Sequence, residues 1–382
     1  MKAEIGKEKM KRINHEPHEH HELVVRDVSS VRVGSCWFVV KFLLILLLSL
    51  FVLLGCTSRY PITETEVEGY TYTPVVYAQY VPEPEPVIPV KRFALIPQSA
   101  RPGYPITVAF SYDFEALGPA AQNLRAELLN AAGRRLARAA FFPLPPQEGE
   151  QAIKAAMLAV PSTAAFGAVT VRIESGGETI RELPFTIESR EFFSETIFLD
   201  QRNTDIRIAP NPQRVAESQH IWAVFNTPGT EIYTTDAFVR PVVSTRRTSP
   251  FGARRIFQYV TGESDTTLHN GIDYGIPIGT DVMASARGRV VIARYRIVTG
   301  NSVVIEHLPG LFSIYYHLDS IAVSEGAIVE AGTLLGLSGV TGLATGPHLH
   351  WEVRVSGESA DPDAFLNGPI LDKNAILRQL GE

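Results

Sequence analysis

Cysteine is almost absent from this chain of 382 residues, which has only Cys36 and Cys56. A disulfide framework is therefore excluded, and stability must come from packed cores. Histidine is scarce too. Ten occur, and because His15, His18, His20 and His21 fall in the first 56 residues, six lie beyond Cys56. Positive charge is not in excess, the formal net charge being -6. Residues 1–56 hold eight Lys/Arg and six Asp/Glu, so removing them takes 35 against 41 to 27 against 35, or -8. A nucleic-acid binder normally shows a basic face, so no nucleic-acid partner is expected. An acidic chain also gains no electrostatic help toward an anionic polymer, which must then be recognised locally.

Long apolar runs are missing as well. Phe42 to Leu54 is the strongest, thirteen residues behind Lys41 and broken only by Ser49. That is short of the ~20 residues of a spanning helix and suits the apolar stretch of a signal peptide. It leads into Gly55-Cys56, which resembles the lipobox of bacterial lipoproteins, where the cysteine is freed by cleavage and acylated. The expectation is a leader over residues 1–56, with the protein lipid-anchored through Cys56 outside the cytoplasm in the cell envelope. The competing reading is a membrane anchor extended back through Trp37 to Val40. The leader histidines could bind metal, but they lie in a segment expected to be removed.

Residues 57–90 read as a spacer, rich in Pro, Tyr, Thr and Glu and including Val81-Pro-Glu-Pro-Glu-Pro86. Residues 91–190 read as a β-sandwich. Runs at Pro105–Phe110, Ala168–Glu174 and Arg181–Ile187 are β-rich and bounded by Gly or Pro. Leu124 to Phe142 has helix-favouring composition, but Leu124, Ala126 and Leu128 alternate and Asn130–Gly133 can turn, so a hairpin is expected. This segment resembles bacterial immunoglobulin-like modules, implying possible contacts with other envelope proteins. Residues 191–245 read as a connector. Asn211-Pro212 opens a short helix to about Phe225, with Val215, Trp222 and Phe225 expected on one packed face. His220 on that helix is expected to be structural or solvent-facing. The two domains, each with its own core, would be followed by a tail at 371–382.

Residues 246–370 change character to short strands separated by glycines, an all-β segment. Four of the six remaining histidines cluster here in short motifs: His269-Asn-Gly-Ile-Asp273, Tyr316-His317-Leu318 and His348-Leu-His350. Zinc takes imidazole and carboxylate ligands, and a catalytic site uses three protein ligands plus an open position. Two histidines and one carboxylate meet that need, leaving two histidines for protons. Alternate strand residues face one way. His348, His350, Glu352 and Arg354 should therefore share a polar face opposite Leu349, Trp351, Val353 and Val355. The same rule would put Ser313, Tyr315 and His317 together, away from Phe312, Ile314 and Tyr316. His307 fits neither motif and reads as structural or supporting. Arg254 is open between structure and a substrate carboxylate.

These motifs, with Ser249-Pro-Phe-Gly252, Gly300-Asn-Ser-Val-Val-Ile305 and Thr345-Gly-Pro-His-Leu-His350 around them, resemble the lysostaphin/LytM-type zinc endopeptidases, which cut peptides of bacterial cell walls. The resemblance spans about 249–365. It implies one zinc per chain held by His269, Asp273 and His350, with His317 and His348 beside it as the proton-handling catalytic pair. It also implies peptidoglycan peptides as substrate. Some relatives of this kind lose ligands and act instead as non-hydrolytic activators of cell-wall amidases; here all five residues are present. A biotinyl-type carrier is disfavoured because no Met-Lys-Met-like attachment site occurs.

Overall fold

The computed structural model describes residues 90–112, 123–145 and 152–381. The leader, Cys56 and the proline-rich spacer lie outside those residues. Among the described residues, no helix is long and apolar enough to cross a membrane. The molecule is mainly β, as its sequence pattern predicts.

The first part is a two-sheet sandwich. One sheet orders Val90–Ile96, Pro105–Tyr112, Ala152–Ala159 and Phe142–Pro143. The other orders Ser99–Ala100, Glu178–Ile187, Gly167–Ser175, Leu124–Leu129 and Arg135–Ala140. The ambiguous stretch is thus a hairpin, Leu124–Leu129 against Arg135–Ala140. Alternation explains the sandwich core: Ile106, Val108 and Phe110 meet Leu124, Ala126 and Leu128 from the opposing sheet.

The other face of the first sheet carries small residues, among them Ala109, Ala155 and Ala159. These join one continuous core with Trp351, Val353 and Val355 of the second part. The sandwich has its own core between its two sheets, and the short alanine side chains on the outer face of its first sheet let that sheet also pack closely on the second part. Polar contacts seal the junction. Ser356 Oγ donates to Met157 O at 2.8 Å, and Arg190 bonds Asp361 at 2.6 Å.

The second part is built on a ten-stranded sheet. Its main path runs Arg247–Ser249, Gly271–Tyr274, Leu349–Val355, Leu311–Ile321, Gly300–Leu308, Gly288–Arg296 and Ile328–Val329. Its inner face holds Trp351, Tyr315, Val303 and Ile305. Its outer face is partly covered by the helix Pro212–Asn226, which begins as predicted at Asn211, whose side chain accepts from Arg214 N–H. The packed face of that helix differs from expectation. Ile221 and Phe225 are buried, whereas Val215 and Trp222 are about half exposed at 52% and 46%. Arg354 occupies the space beneath the Trp222 ring, 5.3 Å from its centroid, so the indole lies over a guanidinium rather than in the core.

Two further elements were not foreseen. Ser194–Phe198, inside the connector, pairs in parallel with Arg254–Gln258, which pairs with Ser264–Leu268. The supposed tail contains the helix Lys373–Leu380, capped by Asp372 and ended by Gly381 at φ 74°. It buries Ile376 and Leu380, and Arg92 donates to Leu380 O at 2.6 Å. A tail reading fails because these two apolar residues, four apart, lie on one helical face.

Candidate metal centre

Asp273 and His350 sit directly opposite each other on neighbouring strands, so their side chains share the sheet's outer face. His269 arrives from the end of Ser264–Leu268. Asp273 Oδ1 lies 3.1 Å from His269 Nε2 and 2.9 Å from His350 Nδ1, and those two nitrogens are 3.0 Å apart. All three residues are buried.

Hydrogen-bond partners fix the tautomers of both rings. His269 Nδ1 lies 2.8 Å from Pro250 O. A carbonyl only accepts, so Nδ1 carries the hydrogen and Nε2 presents a lone pair. His350 Nε2 lies 3.3 Å from Glu352 Oε2, which leaves Nδ1 as the free lone pair. Three acceptors therefore converge on one point with no donor between neutral rings, an arrangement that calls for positive charge. His350 reflects that demand: burial would lower it, but Asp273 and Glu352 raise it to about 9. Burial likewise pushes Asp273 up, yet the facing His269 and His350 hold its carboxyl well below the usual range.

The donor set also passes a test of size. Its ligand atoms all lie within 4.8 Å of one another. Zinc bonds of ~2.1 Å in a tetrahedral shell set ligand atoms roughly 3.4 Å apart, so an opening of about 0.4 Å accommodates the ion.

A second layer of side chains holds these three residues. Arg255 pairs with Asp273 Oδ2, leaving Oδ1 to face the centre. Glu195 Oε1 accepts from Arg255 Nε at 2.8 Å and from Ser249 Oγ at 2.6 Å, and Ser249 Oγ is 3.3 Å from His269 Nδ1. Behind His350, Glu352 accepts from Arg354 Nε at 2.5 Å. Glu195 and Arg255 escaped sequence reasoning: they are sixty residues apart, and no local motif joins them. Glu352 was legible as part of the polar face of its strand.

His317 and His348 flank the cluster, their ring centroids 4.7 Å apart. His317 Nδ1 donates to Thr341 O and His348 Nδ1 to Gly346 O, each at 2.8 Å, so both rings keep the Nε2 lone pair free. His348 Nε2 is 3.8 Å from Asp273 Oδ1. Burial, with His348 and His350 nearby, lowers His317 to about 3 and keeps it neutral.

The face of His317 departs from simple alternation. Tyr315 points to the inner core, opposite Trp351, and Tyr316 stacks on His350 with ring centroids 5.4 Å apart and planes 10° apart. Alternation would turn His317 inward with Tyr315. Its φ of 63° rotates it onto the outer face instead, beside the cluster. The carbonyl that anchors it belongs to a tight turn: at Gly342, φ 76°, a Cβ would lie 2.3 Å from Gly300 N.

Arg254 and His307 take structural positions. Arg254 donates to Gly252 O at 2.6 Å and Ser162 O at 2.8 Å, joining the two parts of the molecule. His307 is fully buried away from the cluster and hydrogen-bonded through both nitrogens. His220 is solvent-exposed.

Residues 267–362 match the model of peptidase family M23. This segment is an M23 peptidase domain. Over 145 residues the chain is 41% identical to the DD-carboxypeptidase/endopeptidase Mpg of Neisseria meningitidis serogroup B, covering 37% of this chain and 33% of that protein. Over 89 residues it is 48% identical to the peptidoglycan DD-endopeptidase ShyA of Vibrio cholerae, covering 23% and 21%. The catalytic domain of lysostaphin from Staphylococcus simulans aligns at 28% identity with a TM-score of 0.25, covering 34% of this chain and 87% of that structure. The chain spans about a third or less of the length of the curated relatives it matches. The donor set of the M23 domain fits zinc.

Proposed function

We propose that this chain is a zinc endopeptidase hydrolysing peptide stems or cross-links of bacterial peptidoglycan. One observation carries the reading: three buried acceptors converge on one point, and two further imidazoles present free Nε2 lone pairs beside it. Similarity to named peptidoglycan endopeptidases supports the substrate class.

His269, Asp273 and His350 would hold the metal. Zinc bound there supplies Lewis-acid chemistry, polarising a carbonyl and acidifying water. His317 and His348 present Nε2 acceptors that orient the attacking water. Each begins as an acceptor at Nε2, because Nδ1–H is committed to a backbone carbonyl. The ring that takes the proton of the attacking water then has an Nε2–H to give, either to the developing oxyanion or to the leaving amine. Tyr316, stacked on His350, keeps that ring in the plane that aims Nδ1 at the centre.

The reading extends to location and partners. Cys56 would carry the lipid anchor that keeps the enzyme in the cell envelope, and the β-sandwich would meet envelope proteins. The second functional reading is a non-hydrolytic activator of amidases, for which an intact set of ligands is not needed. Incubating purified sacculi with the protein and analysing the fragments by mass spectrometry separates the two. New peptide termini from wild type, absent with His350→Ala, support the enzyme; intact sacculi with zinc-loaded wild type support the activator. Metabolic labelling with a fatty acid, lost in Cys56→Ala, tests the anchor; an unlabelled, uncleaved wild type contradicts it.

A further inference from the structure

We propose that Glu195 is a positioning residue for the metal centre, tying two of its three ligands into one hydrogen-bonded ring. The inference rests on His269, Asp273 and His350 being the zinc ligands. Glu195 lies outside the matched segment 267–362, on the strand Ser194–Phe198 that adds in parallel to Arg254–Gln258.

The ring closes through five side chains. Asp273 Oδ2 pairs with Arg255, Arg255 Nε donates to Glu195 Oε1, and Ser249 Oγ donates to the same oxygen. With its hydrogen so committed, Ser249 Oγ turns a lone pair toward His269 Nδ1, 3.3 Å away. That contact reinforces the tautomer that leaves His269 Nε2 for the metal. His269 Nε2 in turn faces Asp273 Oδ1 across the centre.

Charge explains why a carboxylate is needed at this point. Arg255 fixes Asp273 so that one oxygen is presented, but its cation also draws on that carboxylate and repels a divalent ion nearby. Glu195 opposes the cation from 2.8 Å. These side chains are largely shielded from water, with exposures of 15% for Arg255, 19% for Glu195 and 7% for Asp273, so solvent screens the balance weakly. With Glu195 the Asp–Arg–Glu set carries one net negative charge; without it the set is neutral. The sequence matched to the family is thus insufficient for full metal affinity, because the connector completes the site.

The test is zinc affinity of the full chain, measured by competition with a fluorescent chelator, beside the melting temperature of the metal-free protein. Glu195→Gln, which keeps shape and loses charge, should weaken zinc binding by about 10- to 100-fold, the range expected for outer-shell partners. Ser249→Ala should weaken it less, and Glu195→Asp should recover part of the loss. Metal-free melting temperatures should stay near that of wild type. An affinity for Glu195→Gln within twofold of a wild type that binds one zinc overturns this inference and leaves the ligand assignment standing. A large fall in its metal-free melting temperature also overturns it, by making the ring a fold-holding ion pair. A wild type that binds no zinc overturns the ligand assignment and the inference together.

Discussion

Two buried histidine clusters lie on the same sheet and differ in how their hydrogen bonds add up. Around His307 both ring nitrogens are matched, one to an acceptor and one to a donor, within a chain of hydrogen bonds. His307 Nδ1 donates to Arg287 O at 2.8 Å, Ser313 donates to His307 Nε2 at 2.7 Å, Tyr315 to Ser313 at 2.9 Å, and Ser285 N–H to Tyr315 Oη at 2.8 Å. The direction of the whole chain follows from the one carbonyl at its end, which can only accept. Around Asp273 the balance is reversed: Oδ1 and two imidazole nitrogens converge as acceptors. Burial of histidine is common to both and so distinguishes neither. Closed donor–acceptor matching marks a structural network; converging acceptors mark a site that takes positive charge.

The largest way to sharpen that contrast is to remove the metal. Dialysis against a strong chelator should abolish hydrolysis of sacculi, and one equivalent of zinc should restore it. The melting temperature should fall as well, because zinc at ~1,000 times its dissociation constant adds about 4 kcal/mol to stability. A melting temperature indifferent to chelation would place no metal at the convergent acceptors.

The flanking pair comes next. His317→Ala and His348→Ala should each lower the hydrolysis rate about 10²- to 10³-fold, as expected for loss of a general base or oxyanion donor. Their zinc content should remain one per chain. Full activity in both variants would leave these imidazoles without a role in proton transfer.

The closed network should respond to acid instead. Burial lowers folded His307 to about 4, against ~6.5 for an exposed histidine. Between those values the unfolded chain binds a proton that the folded chain refuses. The stability held by neutral His307 is therefore full above about pH 6.5 and lost as pH falls toward 4, by up to about 3 kcal/mol. Urea unfolding of metal-free protein across that window should show a shallower pH slope for His307→Gln than for wild type; equal slopes would contradict it. Smallest of all, Ser313→Ala should cost ~1–3 kcal/mol by leaving Nε2 without its donor, with zinc content unchanged.

Much of this contrast was readable in the sequence, and the failures share a cause. Leu349 to Val355 alternates strictly between core and polar residues, so its two faces were legible. Asn211-Pro212 announced its helix through local capping chemistry. Strict alternation puts His317 on the wrong face because a single positive φ reverses it, and residue types alone do not mark that reversal. The packing of the sandwich on the second part was hidden because Ala109, Ala155 and Ala159 look neutral until a second sheet is laid against them. Glu195 and Arg255 were hidden because their meeting depends on a parallel strand pairing across sixty residues. Local signals were read; partners brought together by tertiary pairing were not.

Zinc content of three proteins measures the central claim most directly. Wild type, His350→Ala and His348→Ala would be purified, dialysed against zinc-free buffer and analysed for metal by atomic emission. Converging acceptors at His269, Asp273 and His350 with a separate proton-handling pair predict one zinc, none and one. Stoichiometric zinc in His350→Ala, or its loss from His348→Ala, would contradict the division of labour drawn from these geometries.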